Sequence, residues 1–181
     1  MRVTPSEIPE VLLIEPKVFG DERGFFFESW NERVFEQAGI RARFVQDNHS
    51  RSQRLVLRGL HYQVSQPQGK LVRVTAGEVF DVAVDIRRSS PTFGRSATMV
   101  LSASRRNMIW IPAGFAHGFL VLSEHAEVLY KTTDYWAPEH ERTISWNDPD
   151  LAIAWPLAGD APVLSAKDAA GTAFRKAEAF P

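Results

Sequence analysis

Gly77-Glu78-Val79-Phe80-Asp81-Val82-Ala83-Val84-Asp85-Ile86 decides the fold class. Phe80, Val82, Val84 and Ile86 recur at every second position and share one face of a strand, with Val79, Asp81, Ala83 and Asp85 on the other. Working outward, similar short runs occupy 11–19, 24–30, 71–76, 98–101, 108–111, 118–122 and 127–132, and 58–63 also reads as a strand. Turn signals separate them: Gly20-Asp21, Pro67-Gln68-Gly69, Gly77-Glu78, Ser89-Ser90-Pro91 and Pro112-Ala113-Gly114. Many short strands at regular spacing predict an all-β sandwich or barrel. One helix is well signalled, capped by Asn31, with Val34, Phe35 and Ala38 at helical spacing and Gly39 as its stop. A second helical turn is expected at 166–170, capped by Ser165. No glycine-rich loop joins a strand to a helix and no serine sits in a nucleophile elbow. Rossmann, P-loop and Ser-His-Asp chemistries therefore lack support.

The 181 residues are expected to form one domain, 1–181, large enough to fold without a metal or disulfide staple. The charge balance of 21 Lys+Arg against 22 Asp+Glu argues against a generally basic nucleic-acid or membrane-surface binder. Cysteine is absent, which excludes disulfides, thiolate nucleophiles and cysteine-ligated metals. The first residues lack the apolar core of a signal peptide, and no run approaches the ~18 apolar residues of a membrane span. The expectation is a soluble, cytoplasmic protein. Composition alone does not say how the alanine-rich end beyond Trp155-Pro156 packs.

Two histidines sit in informative settings. His61 lies in Arg58-Gly59-Leu60-His61-Tyr62-Gln63, with Lys70 nearby in sequence; charged side chains gathered around a strand histidine are seldom there for packing alone. His117 lies in Pro112-Ala113-Gly114-Phe115-Ala116-His117, whose Pro-x-Gly-x-x-His spacing resembles the second motif of the cupin superfamily, where the histidine binds a metal. The first cupin motif is incomplete: Gln63 stands where a second imidazole would be, no Glu follows before Lys70, and a lysine cation disfavours a divalent ion. Taken alone, Tyr130 reads as an aromatic filling the sandwich interior, and Asp168 as a solvated surface acid.

Several segments together carry a more specific signal. They are Asp21-Glu22-Arg23-Gly24-Phe25-Phe26, Gln46-Asp47-Asn48-His49-Ser50, the Arg58–Gln63 stretch, Gln68-Gly69-Lys70-Leu71-Val72-Arg73 and Asp85-Ile86-Arg87-Arg88-Ser89-Ser90-Pro91-Thr92-Phe93-Gly94. To these add Trp110–Phe119, Trp146-Asn147-Asp148-Pro149 and Ser165-Ala166-Lys167-Asp168. In this order, over roughly residues 8–170, the chain resembles the dTDP-4-dehydrorhamnose 3,5-epimerase family.

The resemblance implies a cupin-type jelly roll with one or two short helices, acting as a homodimer without metal or cofactor. Its substrate would be a small molecule, a dTDP-linked 4-keto-6-deoxy sugar, inverted at carbons 3 and 5 to give dTDP-4-dehydro-L-rhamnose; neither nucleic acid nor membrane would be a partner. Carried over by motif, His61 is the general base, Tyr130 the general acid, Asp168 the partner of His61, and Lys70 the cation facing the enolate. Substrate contacts fall on Arg23, Glu28, Gln46, Asn48, Arg58, Lys70, His117, Glu141 and Lys167, with Tyr135 stacking on thymine. The residue types suit the chemistry. A proton next to a ketone becomes acidic when charge can move to oxygen, so the reaction needs a base, an oxyanion donor and, for inversion, an acid on the other face. Three other readings stay open on sequence: a 3- or 5-monoepimerase, a metal-dependent cupin enzyme, and a non-enzymatic sugar-nucleotide-binding jelly roll.

Overall fold

The computed structural model describes residues 1–181. Strands β1 (Arg2–Pro5), β2 (Leu12–Glu15), β3 (Phe19–Asp21) and β4 (Gly24–Phe26) precede helix α1 (Glu32–Gln37). Then follow β5 (Gln46–Gln53), β6 (Leu57–Gln63), β7 (Lys70–Ala76), β8 (Glu78–Asp85), β9 (Ser96–Ser102), β10 (Met108–Ile111), β11 (Phe115–Val121), β12 (His125–Thr132) and β13 (Glu141–Thr143). Helix α2 (Ala166–Ala169) comes last. The expected all-β sandwich with two short helices is what the chain forms.

Two antiparallel sheets face each other: β1-β2-β10-β7-β12-β5 and β13-β6-β11-β8-β9. Between them lies the main core, in which Val72 and Val74 of β7 meet Val79 and Ala83 of β8 and Phe115, Phe119 and Val121 of β11. The opposite face of β8 is buried as well. Val82, Val84 and Ile86 pack against Leu151 and Ala177, and Trp155, Phe174 and Phe180 close over the same face. The alanine-rich end is thus a cover for the five-stranded sheet, fixed to the rest by Phe180 N–H donating to Ile86 O at 2.9 Å. On the outer face of the six-stranded sheet, Phe35 of α1 and Ile40 pack on Ile14, Leu71 and Met108.

Several sequence expectations change in detail. The run 11–19 breaks because Pro16 cannot donate to a ladder; β2 ends at Glu15 and a separate hairpin, β3–β4, follows. Gly20-Asp21 lies in β3, the hairpin turning instead at Glu22-Arg23, and the run 24–30 keeps only β4. Strand β5 has no apolar alternation, and the period-two reading misses it. Both helix caps hold: Asn31 Oδ1 accepts from Val34 N–H at 3.4 Å, and Ser165 Oγ accepts from Asp168 N–H at 3.2 Å.

Candidate active site

The two sheets part at one end, and the inward positions there are polar. From the six-stranded sheet come Lys70 at the start of β7, Tyr130 on β12, and Gln46, Asn48 and Ser50 on β5. From the five-stranded sheet come His61 on β6, His117 on β11 and Glu141 on β13. His61 and His117 are direct cross-strand partners. The cleft has two lobes of about 190 and 260 Å³, with His61, Lys70, Tyr130, Trp136 and Glu141 lining both. Gln46 and Asn48 belong to the first lobe; Arg58, His117 and Lys167 belong to the second.

His61 is held by a chain of bonds that begins at α2. Its Nε2 lies 2.6 Å from Asp168 Oδ1, which also accepts the Gly59 N–H at 3.1 Å. The other oxygen, Oδ2, accepts from Ser165 Oγ at 2.6 Å. β6 and β11 come this close only because Gly59 has no side chain: a Cβ on Gly59 would sit 2.5 Å from the Gly118 Cα. Burial by itself would raise the Asp168 pKa, but the hydrogen bonds from His61, Ser165 and Gly59 outweigh it and bring it down to about 2. Asp168 is therefore an anion that can only accept, so Nε2 of His61 carries the hydrogen and Nδ1 is left as the basic nitrogen. Burial pushes His61 below the ordinary imidazole range, and the Asp168 bond opposes this only in part.

Lys70 is 9% exposed, and its ammonium has neither an ion pair nor a hydrogen bond within the chain. Burial brings its pKa down to about 8 against the opposing pull of Asp81 and Glu141. Tyr130 is pushed upward by burial and then by Glu141, so its hydroxyl keeps its proton across the neutral range. Beside them His117 Nε2 lies 3.0 and 3.1 Å from the two oxygens of the fully buried Asp81. At the rim, Lys167 Nζ pairs with Glu141 Oε1 at 2.8 Å, and Arg58 Nε donates to Ser52 Oγ at 3.0 Å.

The expected residues divide into two groups. His61, Lys70, Tyr130, Gln46, Asn48, Arg58, His117, Glu141 and Lys167 line the cleft, and Asp168 stands behind His61. Arg23, Glu28 and Tyr135 do not line the cleft of their own chain. Arg23 is an exposed hairpin residue bonded to Asp21, Glu28 accepts from Asn31 Nδ2 at 2.8 Å, and Tyr135 projects 60% exposed. The aromatic in the cleft wall is its neighbour Trp136. Sequence reading passed over Trp136, the place of Asp81 beside His117 and the bond from the Ser165 hydroxyl to the Asp168 carboxylate. Asp81 was detectable as the one acid between Val79 and Ala83 on a face that turns out to be core.

No group of three or more His, Cys, Asp or Glu side chains gathers here in a way that could hold a metal ion. Nε2 of His61 and of His117 face Asp168 and Asp81, and the Gln63 amide is bonded to backbone groups. What the arrangement offers is a carboxylate-supported imidazole on one wall, with a phenol and an unpaired ammonium on the other.

A family model described as dTDP-4-dehydrorhamnose 3,5-epimerase matches residues 5–176. The chain is 67% identical over the full length of both proteins to a Pseudomonas aeruginosa dTDP-4-dehydrorhamnose 3,5-epimerase. It is 59% identical to the Salmonella typhimurium enzyme of that name, covering 94% of this chain and 93% of that one. Among solved structures, the Legionella pneumophila dTDP-6-deoxy-D-glucose-3,5-epimerase in complex with dTDP-4-keto-L-rhamnose superposes with a TM-score of 0.95 at 56% identity, covering 98% of this chain and 94% of that one. The sandwich is thus a cupin-type jelly roll, and the cleft residues lie within the matched region. With fold, cleft and sequence in agreement, the chain belongs to the dTDP-4-dehydrorhamnose 3,5-epimerase family.

Proposed function

We propose that the cleft inverts carbons 3 and 5 of dTDP-4-dehydro-6-deoxy-D-glucose, giving dTDP-4-dehydro-L-rhamnose, by removing and returning protons next to the 4-ketone. The observation that carries this reading is the placement of His61 and Tyr130 on opposite sheets, facing one cleft. Inversion needs a proton taken from one face of the ring and another delivered to the opposite face; two walls supply two faces. Nδ1 of His61 takes the proton, and Asp168 holds the imidazole and stabilises the imidazolium that results. As the carbanion forms, charge passes to the ketone oxygen, where the ammonium of Lys70 meets it. Tyr130 then gives its hydroxyl proton to the carbon from the other side.

Arg58 and Lys167 supply cations for the diphosphate, Lys167 exchanging Glu141 for the ligand. Trp136, which lines both lobes, is the aromatic placed for stacking on the base; the resemblance assigned that task to Tyr135. Incubation with dTDP-4-dehydro-6-deoxy-D-glucose in D₂O, read by proton NMR, tests the reading. Deuterium and inverted configuration at both carbons are expected. Inversion at one carbon alone would make the chain a monoepimerase, and no exchange at either carbon would leave only a binding role.

A further inference from the structure

Trp136 stands 58% exposed, so packing does not fix it, yet the backbone around it is tied down on all sides. Gln63, on β6, is 4% exposed and spends its whole amide on this segment and the turn below it. Its Nε2 donates to Tyr135 O at 3.1 Å and Gln66 O at 2.8 Å, and its Oε1 accepts the Ala137 N–H at 3.0 Å. Two further glutamines join it. Gln46 Oε1 accepts the Trp136 N–H at 3.0 Å, and Gln68 Nε2 donates to Asp134 O at 2.9 Å. The peptide planes on both sides of the Trp136 Cα are therefore held by side-chain amides, and the one that holds both is Gln63.

A buried amide is costly unless its hydrogen bonds are made, and an apolar residue would fill this volume at less risk. We propose that Gln63 is a positioning residue for the nucleotide end of the cleft: it fixes the backbone of Trp136 so that the indole is a preformed platform for the base. A segment whose backbone is already held loses less freedom when the ligand arrives, and the gain appears as affinity. This rests on the nucleotide-sugar reading given above. It also accounts for the incomplete cupin motif, since the side chain that replaces a metal-ligating imidazole has another task.

The test is Gln63→Met, which keeps the size of the side chain and removes its three bonds. Titration calorimetry with dTDP and, separately, with inorganic pyrophosphate reads the two ends of the site. The dissociation constant for dTDP should rise about tenfold, the scale of one base–aromatic stack, while that for pyrophosphate stays within twofold. KM should rise with the dTDP constant and kcat should fall less than threefold. Should Gln63→Met not fold, Gln68→Met loosens the same segment at Asp134 and should weaken dTDP about threefold with pyrophosphate unchanged. Unchanged dTDP binding, an equal loss for both probes, or a kcat fall larger than the KM rise would overturn the proposal. Wild-type protein that binds pyrophosphate but not dTDP would instead overturn the nucleotide reading on which it rests.

Discussion

Lys70 shows how one side chain serves reaction and stability in opposite directions. Its ammonium is buried without a partner, and in the proposed mechanism it meets a charge that forms only during the reaction. Its pKa is about 8 in the folded chain against 10.5 when exposed, so the unfolded chain binds more protons between those values. Stability therefore rises with pH across that window, and below about 8 the full cost of the buried charge is present. Lys70→Met should lower kcat by about 10²–10³ while adding on the order of 3 kcal/mol of stability at neutral pH; denaturant unfolding and steady-state kinetics measure the two. The same groups shape the pH profile of kcat/KM. Its alkaline limb should fall near 8 as Lys70 discharges, and its acid limb should lie below the ordinary imidazole range, because burial disfavours protonated His61. Excess chelator should leave turnover unchanged, since His61 and His117 lack the further ligands a metal needs and Gln63 and Lys70 stand where such ligands would be. Activity lost with EDTA and restored by one divalent ion would contradict this.

At the scale of elements, the one-turn helix α2 matters more to the site than to the fold. Its N-cap, Ser165, also donates to Asp168 Oδ2, so one hydroxyl caps the start of the helix and steadies the carboxylate behind His61. Ser165→Ala should cost about 1 kcal/mol in stability and lower kcat about tenfold, and Ser165→Thr should restore both; unfolding and initial rates in parallel check it. The cap was legible in the sequence, as were β8, the proline-glycine turns and the motif histidines. Strand β5 was not. Gln46-Asp47-Asn48-His49-Ser50-Arg51-Ser52-Gln53 lacks alternation because much of its inward face lines the cleft and needs no apolar side chains. The role of Asp81 escaped for a related reason. Alternation along β8 marked Phe80, Val82, Val84 and Ile86 as the covered face, and the C-terminal segment covers that face, whereas Asp81 lies with Val79 and Ala83 on the face between the sheets and is fully buried against His117. Periodicity marks the more apolar face of a strand; it does not say which of two covered faces meets the opposite sheet.

At the scale of the whole molecule, the β3–β4 hairpin leaves Phe19, Phe25 and Phe26 more than half exposed, and it carries Arg23, which its own cleft does not use. A second copy of the chain would account for both, and sedimentation at micromolar concentration should show twice the chain mass; an active monomer would count against it. What the sandwich itself provides is a cleft with His61 on one sheet and Tyr130 on the other, which the proposed mechanism uses as base and acid. That mechanism is tested most directly by NMR of sugar nucleotide recovered from D₂O, counting deuterium and configuration separately at carbons 3 and 5. His61→Asn should lose both exchange and inversion. Tyr130→Phe should keep substantial exchange with configuration retained, because the imidazolium can return a solvent-exchanged proton to the face it left, while inversion falls by about 10² or more. If Tyr130→Phe lowers exchange and inversion by equal factors, the two walls do not divide the work between them.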